Sequence, residues 1–84
     1  MVRELVLRMK DGEVVLPVQE VSFWEEVDEE GFVVEEGYTY HTPYGKVITR
    51  ITDSGEDVLH TRLDWERVPN PYVQSLLRKE REVA

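Results

Sequence analysis

The sequence predicts an α+β domain: an antiparallel sheet of about five strands, built on two hairpins, with a helix at its C-terminal end. Three observations carry that prediction. Apolar residues alternate on either side of Asp11-Gly12. They alternate again on either side of the polar stretch from Asp53 to Asp57. A helical apolar stripe follows Pro69-Asn70-Pro71.

In residues 2–18, Leu5, Leu7, Met9, Val14, Leu16 and Val18 share one face of a hairpin, because successive strand side chains point to opposite sides. Both residues of Asp11-Gly12 tolerate the positive φ of a type I′ turn. A turn there sets Met9 opposite Val14 and Leu7 opposite Leu16. Pro17 has no N–H to give to a ladder, so its outer side is expected at an edge.

Residues 21–31 read in two ways. Ser22 with Glu25 three residues on fits a capping box, and Gly31 fits a C-terminal cap; together they predict a short helix near residues 23–30. Asp28, Glu29 and Glu30 oppose the dipole of such a helix, and a strand over residues 20–24 is the alternative. Residues 32–35 and 38–42 read as strands, with Glu36-Gly37 either joining them tightly or bulging one longer strand. Thr42-Pro43-Tyr44-Gly45 is a turn.

From Tyr44 to Trp65 the chain reads as a second hairpin. Gly45, Val47, Thr49 and Ile51 share a face with Leu59, Thr61 and Leu63, provided the loop has an odd number of residues. The other face then gathers Lys46, Ile48, Arg50, His60 and Arg62, with Val58 also turned outward. Beyond it, Asn70 is a suitable N-cap and Pro71 a suitable first helical residue. Tyr72, Val73, Leu76 and Leu77 form the buried stripe, and Arg78, Lys79 and Arg81 complement the dipole towards Glu82.

Eighty-four residues hold one domain with one small core. The chain has no cysteine, which removes disulfides, thiolate catalysis and cysteine-based zinc sites. No segment resembles a signal peptide, and none approaches the roughly 20 apolar residues of a membrane span, so a cytoplasmic protein is expected. Seven arginines against three lysines, with few amides, lean towards a thermophilic source.

Catalytic chemistry has few carriers. Ser22, Ser54 and Ser75 lie in no nucleophile motif, leaving His41 and His60 as bases near neutral pH. His60 and Asp64 flank Arg62, which repels a cation, and Asp53, Glu56 and Asp57 lack the spacing of a calcium loop. No cofactor and no metal are expected. Two surfaces remain. One is acidic: Glu25, Glu26, Asp28, Glu29, Glu30, Glu35 and Glu36. The other is basic: Lys46, Arg50, His60 and Arg62, with Tyr44 near enough to stack. A net charge of −8 works against indiscriminate nucleic-acid binding. The sequence therefore points to a small acidic interaction module, non-enzymatic and homodimeric, meeting a protein partner through residues 25–36. The alternative is an anion or nucleic-acid module using the basic face. A third reading is an oligomeric enzyme with His41 or His60 as its base.

Overall fold

The computed structural model describes residues 3–82. Six strands, a 3₁₀ turn and a helix follow one another: β1 (Glu4–Met9), β2 (Gly12–Pro17), β3 (Glu20–Val27), β4 (Val33–Thr42), β5 (Gly45–Thr52), β6 (Gly55–Leu63), the turn Trp65–Arg67, and α1 (Pro71–Glu82). The α+β class and the C-terminal helix agree with the sequence reading. The strands number six and form two sheets, β1-β2 and the meander β3-β4-β5-β6. Among the described residues no helix is long and apolar enough to cross a membrane.

The first hairpin keeps its predicted faces and changes its register. Leu7 sits opposite Val14 and Leu5 opposite Leu16, so the turn lies at Lys10-Asp11. A slip of two residues leaves every side chain on its own face. Neither Asp11 nor Gly12 has positive φ, so the type I′ turn is not made. Gly12 instead lies under the Tyr72 ring, whose Cδ2 would be 2.8 Å from an added Cβ.

The helix predicted near residues 23–30 is the strand β3. Val21, Phe23, Trp24 and Val27 are β-branched or aromatic and suit a pleated surface, and the acidic run would have opposed a helix dipole. Ser22 caps nothing; its hydroxyl is hydrogen-bonded to His41 Nε2 at 3.1 Å. β4 runs unbroken through Glu36-Gly37, with neither a turn nor a bulge there; the irregularity of this pair lies at Glu26/Val27.

The β5–β6 hairpin turns on two residues, Asp53-Ser54, with Gly55 at φ 140°. An even loop would have inverted β6. A bulge at Leu59, between the pairs Ile48–His60 and Thr49–Val58, restores the parity, so Lys46 and Arg62 do share a face. Between that bulge and the turn Val58 joins the set of Thr49 instead of the outer set. At the helix, Asn70 Oδ1 accepts from Tyr72 N at 2.9 Å and from Val73 N at 3.4 Å, as its place before Pro71 predicts.

Leu7, Val14 and Leu16 of the first hairpin, Tyr40 and Val47 of the larger sheet, Val68, and Val73 of α1 form the core, with Leu63, Trp65, Tyr72 and Leu77 packed against it. This cover reaches only one end of the sheet. The molecule measures 51 × 29 × 21 Å with a radius of gyration of 15.2 Å, against about 12 Å for a compact chain of this length. The far ends of the β3–β4 and β5–β6 hairpins project beyond the core.

Candidate functional site

The first candidate is the projecting arm made by the end of β3, the loop after it and the start of β4. Its strand pairing sets Glu25 opposite Glu36 and Glu26 opposite Glu35. Like charges directly opposed across a ladder destabilise it, by roughly 0.2–1 kcal/mol per pair. Of the seven predicted acids, Asp28 builds the loop: its Oδ1 accepts from Glu30 N and Phe32 N, both at 2.9 Å. Glu35 Oε1 lies 3.6 Å from Arg50 Nη1. Glu25, Glu26, Glu29, Glu30 and Glu36 have no ion-pair partner among the described residues. Apolar side chains interleave with them: Phe32 is 67% exposed and Val34 60%, with Phe23 and Val27 also open to solvent.

The arm is fixed at its root. Where the β4–β5 ladder ends at Thr39–Ile48, Thr49 replaces it with side-chain bonds: its Oγ1 accepts from Tyr38 N at 3.3 Å and donates to Tyr38 O at 3.4 Å. Trp24, opposite Gly37 on β3, donates from Nε1 to the Thr49 carbonyl at 3.0 Å. β5 passes so close that a Cβ on Gly37 would overlap the Thr49 carbonyl oxygen, and only glycine admits that approach.

The second candidate is the outer face of the sheet. One row crosses all four strands there: Glu20, His41, Lys46 and Arg62. The next row is Ser22, Thr39, Ile48 and His60, and Trp24 opens the one after it. The ion pairs among the described residues are Arg50–Glu35 and Arg81–Glu66. Lys46 and Arg62 stand opposite each other, and neither makes an ion pair among the described residues. The predicted basic face thus loses Arg50 to the arm and keeps Lys46, His60 and Arg62. Tyr44 does not join it: its ring packs against the core and lies 6.0 Å from the Arg67 guanidinium carbon. Tyr38 and Tyr40 belong to the core face. The aromatic that does share the outer face is Trp24, which the helical reading of its segment hid.

Ser22 and His41 bring a hydroxyl within reach of an imidazole, the first step towards an activated nucleophile. No described side chain holds the other ring nitrogen, and the pair lines neither the cleft at residues 33–36 nor that at Met9 and Trp65, so the geometry gives the pair no orienting group among the described residues. His60 is on the same face, separated from His41 by the width of β5, about 10 Å at normal strand spacing. No group of three metal-ligating side chains is present among the described residues. At Tyr40, burial, and then its hydrogen bonds to the Glu56 carboxylate at 2.7 and 2.6 Å, hold the phenol above the ordinary tyrosine range. Comparison with protein-family models, with curated proteins and with solved structures finds no match to this chain.

Proposed function

We propose that this protein is a non-enzymatic interaction module whose docking element is the arm of residues 25–36, and that its partner offers cations around an apolar recess. The observation that supports this is the opposition of Glu25 to Glu36 and Glu26 to Glu35 beside exposed Phe32 and Val34. The free molecule is destabilised by the opposed carboxylates and leaves the apolar side chains in water. A cationic partner relieves the first and buries the second. Burial of Phe32 and Val34 supplies affinity, while the charges mainly speed association and select the partner. The test is capture from a nuclease-treated native lysate by three forms: wild type, Phe32→Ser, and a Glu25→Gln, Glu26→Gln, Glu29→Gln, Glu30→Gln variant. Wild type retains a specific protein, and both variants lose it while keeping their circular dichroism. Equal capture by all three removes the arm from the account.

A second reading rests on a separate observation, the unpaired Lys46 and Arg62 on the same face as Trp24. A single-stranded nucleic acid would cross this face from Lys46 and Arg62 towards Trp24, two rows away, with the indole as its stacking platform. It ranks second because Glu20 stands in the row of Lys46 and Arg62 and the chain carries a net charge of −8. Oligonucleotide binding that falls steeply with salt and disappears in Lys46→Glu plus Arg62→Glu would support it; weak, salt-insensitive binding would remove it.

A further inference from the structure

The outer face of the larger sheet opposes like charges twice, with opposite sign at its two ends. At the arm end, Glu26 faces Glu35; at the core end, Lys46 faces Arg62. All four side chains lie on the same face, because the register keeps Glu26 in phase with Glu20, and Glu35 in phase with His41, which neighbours Lys46. Six residues separate the two ends along β4, about 20 Å of strand. Between them β3 and β4 carry no charge on this face, with Ser22, Trp24, Gly37 and Thr39, while β5 and β6 place Ile48 beside His60 and the opposed pair Arg50 and Asp57. Arg50 offsets Glu35 in part, at 3.6 Å; Glu20 shares the row of Lys46 and Arg62 and lowers its charge without reversing it, and Glu26, Lys46 and Arg62 make no ion pair among the described residues.

We infer that two copies of this chain pair through this face, about a two-fold axis near Trp24 and Thr39. A surface that reverses sign along its length is complementary to itself when turned through 180°. Glu26 and Glu35 of each copy then lie over Lys46 and Arg62 of the other, which is the isologous contact of a two-fold dimer. Trp24 and Ile48, both half-buried in the single chain, meet at the centre, where interface energy concentrates. The inference goes beyond the docking reading, since the loop from Asp28 to Phe32 and the opposite face of the arm stay outside this interface.

Both copies carry net negative charge, so salt weakens their overall repulsion along with the local attraction, and charge reversal is the discriminating probe. Sedimentation velocity is run on wild type, on Glu26→Lys with Glu35→Lys, on Lys46→Glu with Arg62→Glu, and on an equimolar mixture of the two variants. Wild type is dimeric, each variant alone associates about tenfold more weakly or worse, and the mixture recovers the dimer, because each end then meets its opposite. Wild type that is monomeric at about 100 µM, a dimer indifferent to both variants, or a mixture that fails to recover overturns the inference. Should a variant unfold, the cysteine-free chain allows a second measurement. Single Thr39→Cys is joined to its mate by a short bismaleimide, and Val15→Cys, on the exposed side of the first hairpin, is not; equal yields overturn the inference. Oligonucleotide binding by a wild-type monomer through Lys46 and Arg62 overturns it too, in favour of the nucleic-acid reading. A monomer that still loses lysate capture on Phe32→Ser overturns self-pairing and leaves the docking arm standing.

Discussion

Gly37 shows how much one position decides. Its missing side chain lets β5 pass, and that passage puts the Thr49 carbonyl where the Trp24 indole reaches it. Gly37→Ala therefore drives a methyl group into backbone, and a loss of about 3 kcal/mol or more in urea denaturation is expected. Gly31→Ala has open space around it but sits at φ 88°, so only the conformational strain is felt, about 1–2 kcal/mol. Tyr40 makes the fold sensitive to alkali. The unfolded chain loses the phenol proton near its ordinary value of 10.0, while the folded chain holds it beyond that. Stability is thus intact below about pH 10 and falls as pH rises past it, by at most about 1.4 kcal/mol per unit for this one group. In denaturation between pH 8 and pH 11.5, Tyr40→Phe is expected to be less stable at neutral pH by about 1 kcal/mol, and to lose less on going alkaline. Parallel pH curves for the two proteins would contradict this.

At the scale of elements, the helix and the β3–β4 arm teach opposite lessons about legibility. α1 is readable from its start, because Asn70, Pro71 and the Tyr72–Val73–Leu76–Leu77 stripe all act locally; Asn70→Ala is expected to lower stability by about 1 kcal/mol. The first hairpin gave its faces but not its register, since a two-residue slip preserves alternation and the Tyr72 ring, sixty residues on, selects the position of Gly12. β3 was obscured because Ser22, Glu25 and Gly31 mimic helix caps. Their true roles, a bond from Ser22 to His41, a place for Glu25 opposite Glu36 and a loop organised by Asp28, depend on the pairing of β3 with β4, which no cap motif reveals. The charged surfaces were legible as composition; that Arg50 leaves the basic set for Glu35, and that Trp24 joins it, follows only from β5 leaving the β4 ladder after Ile48 and crossing over Gly37. The arm makes its own prediction. Glu25→Lys converts an opposed pair into an attractive one and should stabilise the protein by a few tenths of a kcal/mol to about 1 kcal/mol, while weakening capture of a cationic partner. Stability and docking moving in opposite directions on this substitution would mark the acidic run as a surface kept for its partner; a drop in both would place it in the fold.

For the whole molecule, the defining property is that the core covers one end of a long sheet. Helix α1, the 3₁₀ turn and the first hairpin gather at that end, and the two hairpin tips extend from it. The open edge of β6 carries Glu56, Asp57, His60 and Arg62 with a bulge at Leu59, features that discourage indiscriminate strand addition. The exposed apolar residues of the arm have no comparable protection, and the charge around them is acidic apart from Arg50 beside Glu35. The most direct test of the docking arm is to record amide chemical shifts of the isotopically labelled protein as its captured partner is added. The arm account predicts that the shifts on partner addition concentrate in residues 25–36 and at Phe23. An arm that stays unmoved while signals around Lys46, His60 and Arg62 respond to the partner would contradict it.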